Sequence, residues 1–184
     1  PNEHIIRFVK RNFHDRNSVI LDFGCGAGRN AIALAMEGYN IIAMDHSEEA
    51  VELAREKSLE RLLDIEFLVN KNTDIPLKTA SVNAIVANGS LFYNDWNTTI
   101  KLLSNLHDVL SENGLMWADW RTKEDSLYAM GEETEKDFFK MNEESGRKGC
   151  YYHFFDEQQL RELYTKAGFQ NVSIDRNMYT ENDG

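Results

Sequence analysis

The chain lacks a surplus of basic residues. It contains 31 Asp and Glu against 20 Lys and Arg, which gives a formal net charge of −11. Proteins that bind nucleic acids usually carry a basic face that neutralises phosphates. The longest basic clusters here, Lys10-Arg11 and Arg147-Lys148, are typical of solvated surface. We therefore expect no nucleic acid among the partners.

Long apolar runs and cysteines are also scarce. No apolar run approaches the roughly 20 residues that a membrane span needs, so no membrane partner is expected. No secretory signal is visible, although the chain begins with Pro1 rather than Met. The two cysteines are Cys25, inside a glycine-rich segment that suits no structural bridge, and Cys150. This usage favours a reducing, cytoplasmic setting, and no metal-ligand spacing is present.

Extended and helical patterns alternate along the 184 residues, a length that fits one domain, 1–184. The expected strands are Val19–Phe23, 40–44, Ile65–Val69, Val82–Ala87, 115–120 and 172–175. The expected helices are 3–13, 29–37, a helix capped by Ser47, 98–110 and a helix capped by Asp156. This alternation predicts an α/β fold: a Rossmann-like, doubly wound, mostly parallel sheet in a three-layer α/β/α arrangement. Residues 122–149 interrupt it and are expected to be an insertion.

The segment after the first strand carries the chemistry. Asp22 is followed by Gly24, Gly26 and Gly28, and the second strand ends in Asp45. Such glycines let a ligand approach the backbone closely, and a distant carboxylate suits ribose hydroxyls. The spacing is G-x-G-x-G rather than the dinucleotide fingerprint G-x-G-x-x-G. An acid at the position of Asp22 would also repel a pyrophosphate, whereas it suits the amino end of a methionine.

Residues 22–30, Asp-Phe-Gly-Cys-Gly-Ala-Gly-Arg-Asn, resemble motif I of the class I methyltransferases that use S-adenosylmethionine (SAM). They are most similar to small-molecule enzymes such as the tellurite-resistance methyltransferase group. Residues 43–47 resemble the second motif of that family, and the likeness extends over roughly residues 15–175. The resemblance implies a SAM cofactor, with S-adenosylhomocysteine as product. The cofactor-binding residues that it implies are Asp22, Gly24, Cys25, Gly26, Gly28, Asn30, Asp45, His46, Asn72, Thr73 and Asn88.

The acceptor side is less determined by the sequence. The expected acceptor is a small molecule, and residues 122–149 are expected to form its lid. The substrate-pocket candidates are Tyr93, Trp96, Trp120, Arg121 and Tyr152. His153 is the first candidate for a general base, and His107 and Asp119 are weaker ones. A base is needed only if the acceptor must lose a proton. Oxygen, nitrogen, sulfur and metalloid acceptors stay open, as does the oligomeric state.

Two other functions remain open at this point: a non-catalytic SAM-binding protein of the same fold, and an NAD(P)-dependent oxidoreductase. The early third glycine and Asp22 count against the oxidoreductase. The likeness also predicts a closing antiparallel hairpin, yet few residues follow the sixth expected strand. Either the last strand is absent from this chain, or residues 177–180 contribute a fragment of it.

Overall fold

A computed structural model describes residues 1–71 and 73–177. Its main element is a five-stranded parallel sheet with the order β3-β2-β1-β4-β5. The strands are β1 (Val19–Phe23), β2 (Asn40–Asp45), β3 (Ile65–Val69), β4 (Val82–Ala87) and β5 (Leu110–Ala118). The helices are α1 (Glu3–Asn12), α2 (Arg29–Met36), α3 (Glu48–Leu59), α4 (Trp96–Val109) and α5 (Glu157–Lys166). The predicted three-layer α/β/α class is confirmed.

Two hydrophobic cores lie on opposite faces of this sheet. One contains buried side chains of α1, α2 and α3, such as Val9, Leu34 and Ala54. The other contains α4 and α5, represented by Leu103 and Leu163. Continuous apolar strands follow from this double cover, since both faces of a parallel strand are buried. None of the helices in the described part of the chain has the length and apolar character needed to cross a bilayer.

Helix starts follow the capping chemistry that the sequence predicts. Ser47 Oγ accepts a hydrogen bond from Ala50 N at 3.2 Å, at the start of α3. Asp156 caps α5 by accepting from Gln159 N at 2.8 Å, and the Gln159 side chain accepts in return from Asp156 N. Each cap satisfies an amide that has no partner within its helix.

A second, four-stranded sheet covers one side of the molecule in the order β6-β9-β8-β7. Its strands are β6 (Arg121–Thr122), β7 (Gly131–Glu135), β8 (Phe138–Met141) and β9 (Tyr151–Phe155). Residues 122–149 are thus partly regular, and the sheet continues beyond them into β9. Side chains such as Phe139 and Phe154 belong to the same core as α4 and α5. The second sheet is therefore packed into the fold rather than attached to it.

The predicted bounds of the fifth strand, 115–120, are wrong at both ends. The fifth strand begins at Leu110 and ends at Ala118. Residues 112–114, which precede the predicted strand, lie within β5, at a register shift against β4 where Asn113 has a φ of 62°. Beyond Ala118 the chain leaves the first sheet and joins the second at Arg121.

The sixth strand expected at 172–175 is also wrong, because these residues have no regular secondary structure. Their alternation of apolar and polar residues is explained by contacts outside any sheet. Ile174 packs against the core, and Arg161 Nη1 donates to Val172 O at 3.0 Å. The segment is thus held to α5 by a side chain instead of by a strand ladder. Of the fragment expected at 177–180, only residue 177 is described, and it is not in a strand.

Candidate functional site: the carboxyl edge of the parallel sheet

The loop between β1 and α2 lies against the end of β2. Gly24 N and Cys25 N both donate to Met44 O, at 2.8 and 3.0 Å. Gly24 has a φ of +73°, and a Cβ on it would stand 2.3 Å from Ser90 Cβ. Only glycine permits this approach to the turn after β4. Gly26, by contrast, faces open space with nothing within 4 Å of its ideal Cβ position.

Asp45 joins this loop to the end of β2. Its Oδ2 accepts from Gly26 N at 2.8 Å, and its Oδ1 accepts from Ser47 N at 2.9 Å. The residue is only 8% exposed. Neighbouring His46 lies largely in solvent, with Nδ1 3.2 Å from Asp45 Oδ1. A carboxylate has about four lone-pair sites, so two backbone bonds leave acceptor capacity for hydroxyl groups.

Asp22 is buried beneath the loop. Its Oδ2 accepts from Ala31 N at 2.9 Å, which satisfies an orphan amide at the start of α2. Burial raises the pKa of this carboxyl to about 7, and Asp45 adds to the rise, while the Ala31 hydrogen bond and Arg29 oppose it. Burial likewise raises the pKa of the Cys25 thiol far above its ordinary value. Cys25 is therefore a packing residue of the loop rather than a reactive thiol.

A polar cluster connects β4, β5, α2 and the start of α1. Asn88 Nδ2 donates to Asp119 Oδ2 at 2.8 Å, and Gly89 N donates to Asp119 Oδ1 at 2.6 Å. Asn30 Nδ2 donates to Asn88 Oδ1 at 3.4 Å and Asn30 Oδ1 accepts from Asn2 N at 2.8 Å. Burial raises the pKa of Asp119, although these hydrogen bonds oppose the rise. Both carboxylate oxygens are occupied, so Asp119 orients the turn after β4.

Of the two cofactor-binding candidates that follow β3, Asn72 and Thr73, only Thr73 is described. Asn72 lies outside the described residues. The backbone oxygen of Thr73 accepts from Asn105 Nδ2 at 3.0 Å, which fixes this stretch against α4. Thr73 lies beyond the carboxyl end of β3. Other candidates lie at or just beyond the carboxyl ends of the neighbouring parallel strands: Gly24, Asp45, Asn88 and Asp119.

Strand β9 divides the substrate-pocket candidates into two groups. Tyr152 packs on Tyr93 with ring centroids 5.2 Å apart, and the Arg121 guanidinium lies 4.7 Å from the Tyr152 ring. On the other face of β9, Phe155 packs against Trp120 at 4.9 Å and Trp96 at 6.4 Å. The structure thus brings Tyr93, Arg121 and Tyr152 together, and it does not bring Trp96 and Trp120 to them.

The histidine candidates lie away from this edge. His153 is 1% exposed, its ring stacks on Phe155 at 4.2 Å, and Nδ1 lies 3.2 Å from Asn94 O. Burial lowers the pKa of this imidazole. Its side chain alternates along β9 with that of Tyr152, so it lies on the opposite face of the strand from the Tyr93–Arg121–Tyr152 group. His107 packs against Phe169 at 5.0 Å, beside α5.

Two further residues, Asn2 and Ser90, take part that the sequence analysis did not select, and Phe92 completes the aromatic group. Asn2 links the start of α1 to Asn30 and caps α1 through His4 N at 2.9 Å. Ser90 fills the space beside Gly24 and donates from Oγ to Phe23 O at 3.2 Å. Phe92 packs on Tyr93 at 4.7 Å and on Tyr152 at 5.8 Å. Ser90 could have been found from the sequence, because the polar run Asn88, Gly89 and Ser90 directly follows a buried strand.

The geometry fits SAM, because an open glycine backbone lies beside a carboxylate with spare acceptor capacity. A family model described as a methyltransferase domain matches residues 20–114, just over half of the chain. The chain belongs to the class I SAM-dependent methyltransferases, and SAM is its cofactor. This finding favours the methyltransferase over the oxidoreductase alternative and confirms the resemblance that motif I carries.

Individual relatives agree with this family. A putative methyltransferase of Geobacillus sp. WCH70 is 29% identical over 126 residues, which cover 68% of this chain and 49% of the relative. The probable SAM-dependent methyltransferase TehB of Haemophilus influenzae is 37% identical over 46 residues, covering 25% of this chain and 16% of the relative. The matched part spans about half the length of the first relative and less of the second.

The fold is shared with solved structures. A SAM-dependent methyltransferase from Methanosarcina mazei superposes with a TM-score of 0.76 at 22% identity, covering 86% of this chain and 82% of that one. At this identity the likeness shows the fold alone. Together with the observed sheet order, it confirms a Rossmann-like methyltransferase architecture.

Proposed function

We propose that the protein transfers the methyl group of SAM to a small-molecule acceptor in the cytoplasm. In this proposal residues 1–184 act as one domain, with residues 122–149 and β9 forming the cover over the acceptor. The net charge of −11 disfavours nucleic acid as acceptor, and both cysteines are free thiols, which suits a reducing compartment.

One observation carries the small-molecule proposal: an aromatic and basic surface lies beside the Asn88–Asp119 cluster. Tyr93 follows β4, whereas Tyr152 and Arg121 come from the second sheet, so two parts of the fold meet there. Tyr93 is 44% exposed, while Tyr152 is buried at 2%. Ring faces accompanied by a few polar groups suit a small organic molecule.

The cofactor would be held by residues at the carboxyl edge of the sheet. The loop from Gly24 to Gly28 supplies backbone, Asp45 would accept from the ribose hydroxyls, and His46 and Thr73 would flank the base. Asp22 would face the amino end of the methionine from below. When bound, SAM supplies a methyl group already activated by its sulfonium charge.

The chain itself contributes orientation. Alignment of two reactants accounts for much of the acceleration in such transfers. Asn88, held by Asp119 and Asn30, would set the position of the acceptor relative to the loop. The side chain of His153 lies on the opposite face of β9 from Tyr152, where its Nδ1 contacts Asn94 O. Asp119 accepts hydrogen bonds from Asn88 and Gly89, which suits a role in holding the turn after β4.

Calorimetric titration with S-adenosylhomocysteine tests the cofactor site. We expect micromolar binding by the native protein and a loss of about 10- to 100-fold in Asp45→Asn, because hydrogen bonds to a charged group contribute about 1.5 to 3 kcal/mol each. Asp64→Asn, which removes the same charge from an exposed position just before β3, serves as the control and should bind normally.

A turnover assay with labelled SAM and a metabolite extract then separates the enzyme from a non-catalytic SAM-binding protein. Transfer of label to a compound of low molecular mass would support the proposal. Tight binding of S-adenosylhomocysteine without any transfer would favour the binding protein. Transfer of label only to macromolecules would contradict a small-molecule acceptor.

A further inference from the structure

Arg121 is held in an unusual way at the edge of the second sheet. Its guanidinium lies against two ring faces, 4.7 Å from the centroid of Tyr152 and 5.1 Å from that of Phe92. Nη1 donates to Asp125 Oδ2 at 2.6 Å. Nε is buried and has no hydrogen-bond partner, the one such buried side-chain atom in the described part of the chain.

This arrangement leaves one side of the guanidinium unused. Leaving a buried donor without an acceptor is costly, so an orphan N–H on a charged group calls for an explanation. Arginine presents its N–H groups in a rigid fork that matches a carboxylate with two parallel hydrogen bonds. Asp125 bonds Nη1 only, and the Nε–Nη2 side matches a second planar anion.

The local charge around this side chain also differs from that of the whole molecule. Burial, followed by Tyr152, raises the pKa of Tyr93 to about 12, and the charges of Arg121 and Arg147 oppose that rise. Two arginines therefore act on the Tyr93 hydroxyl in a chain whose net charge is −11. Asp125 and Asp119 both oppose the charge of Arg121, and Arg147 stays exposed in the 142–149 turn.

Arg121 lies close in sequence to the Asn88–Asp119 cluster, where the acceptor is proposed to be positioned. It follows Asp119 by two residues, and Asp119 fixes the turn that carries Asn88. Its neighbour Tyr93 is the exposed member of the aromatic group. A flat molecule lying on Tyr93 would thus have the Arg121 guanidinium beside it.

We infer that Arg121 binds the carboxylate of the methyl acceptor, and that the acceptor is a small, flat carboxylic acid whose ring or unsaturated part lies on Tyr93. The inference rests on the proposed function, since it assigns the acceptor of that same site. Because Nε is buried, binding of a carboxylate there requires the side chains that cover the guanidinium to move aside. The methyl group would then go to an atom of the acceptor remote from this carboxylate.

Ligand-observed NMR tests the inference on protein saturated with S-adenosylhomocysteine. The probes are matched pairs of small aromatic carboxylic acids and their primary amides, which share shape but differ in charge. We expect some acids to bind and their amides to bind at least tenfold more weakly. If acids and amides bind equally, or if no acid binds at millimolar concentration, the assignment of Arg121 is overturned.

Substitutions test whether the preference for acids over amides depends on the side chain of Arg121. Arg121→Lys keeps the charge but removes the fork, so it should weaken the acids at least tenfold while leaving the amides unchanged. Arg61→Lys, on the exposed face after α3, is the control and should change neither. Acid binding that is unaffected in Arg121→Lys would overturn the inference.

The affinity for S-adenosylhomocysteine distinguishes a failure of the proposed function from a failure of the Arg121 inference alone. Absence of that binding in the native protein would count against the proposed function itself. Normal binding without an acid preference would remove only the role of Arg121. Normal affinity in the Arg121→Lys protein also shows that this variant has folded, so a loss of acid binding then reports on the site.

Discussion

The glycine loop and the second sheet are stabilised in opposite ways. Around the loop, contacts are made by backbone: Gly24 N and Cys25 N reach Met44 O, and Gly26 N reaches Asp45. In the second sheet, side chains hold the β7–β8 turn. Asp137 Oδ1 accepts from Tyr128 at 3.0 Å, and Oδ2 accepts from Gln159 at 3.0 Å and pairs with Lys123 at 2.9 Å.

This difference decides which substitutions each region tolerates. The loop depends on side chains being absent, because the turn after β4 occupies the space where a Cβ would stand. The second sheet depends on side chains being present, because its hub is a buried carboxylate that needs three donors. Substitution by a larger residue should therefore destabilise the glycine loop, and substitution by a smaller residue should destabilise the second sheet.

The largest effect is expected for Gly24→Ala. Its φ of +73° costs an L-residue about 1 to 2 kcal/mol, and the 2.3 Å approach to Ser90 Cβ adds the cost of overpacking, about 1 to 3 kcal/mol. We expect a loss of about 2 to 5 kcal/mol in the free energy of unfolding, measured by urea denaturation.

Gly26→Ala is the matched control within the same loop. Its φ is also positive, at +52°, but nothing lies within 4 Å of the added methyl group. We expect a loss of only about 1 kcal/mol, together with much weaker binding of S-adenosylhomocysteine, since the methyl group occupies the open face. Equal destabilisation by the two substitutions would contradict the difference between these positions.

A second prediction concerns pH and Asp22. With a pKa near 7 in the folded protein and 3.8 ordinarily, this carboxyl binds more protons folded than unfolded between about pH 4 and 7. Its contribution therefore makes the free energy of unfolding fall as pH rises through that window, by about 4 kcal/mol at most. Urea denaturation at intervals between pH 4 and 8 measures this slope.

Asp22→Asn should remove that part of the slope, since an amide does not titrate and its oxygen can still accept from Ala31 N. Asp15→Asn, an exposed acid in the turn before β1, should leave the slope unchanged. An identical pH profile for the native protein and Asp22→Asn would show that Asp22 titrates normally in the folded state.

The sequence predicted the strands of the parallel sheet better than those of the second sheet. Strands β1, β3 and β4 lie within their predicted bounds because each is a short run of mostly apolar residues. Strand β7 reads Gly-Glu-Glu-Thr-Glu, mostly exposed, and has no such pattern. Segment 172–175 has the alternation of a strand yet pairs with none, because periodicity reports burial and not the presence of a ladder partner.

The candidate site shows the same division. Gly24, Gly26 and Asp45 lie together because the chain order of strand, loop and helix already places them at one edge. Tyr152 and His153 are adjacent in sequence, and only the pairing of β9 decides which of them faces Tyr93. Register of this kind depends on contacts across the whole second sheet, so sequence patterns alone did not separate the two.

The last prediction tests the hub of the second sheet. Asp137→Asn keeps the size of the side chain and suits its φ of 61°, but it replaces one acceptor oxygen by a donor that faces other donors. Burial opposes ionisation of Asp137, yet the hydrogen bonds from Lys123, Gln159 and Tyr128 hold its pKa below the ordinary value. The native carboxylate is thus charged and stabilised at neutral pH.

We expect Asp137→Asn to cost about 2 kcal/mol in the free energy of unfolding, the scale of an unsatisfied buried polar group. Hydrogen exchange should accelerate in β7 and β8, while S-adenosylhomocysteine binding stays unchanged. Glu132→Gln, which removes a charge from an exposed position of the same hairpin, should change stability by less than about 0.5 kcal/mol. If Asp137→Asn weakened cofactor binding as strongly as Asp45→Asn, the loop and the second sheet would be one coupled unit rather than two separately stabilised regions.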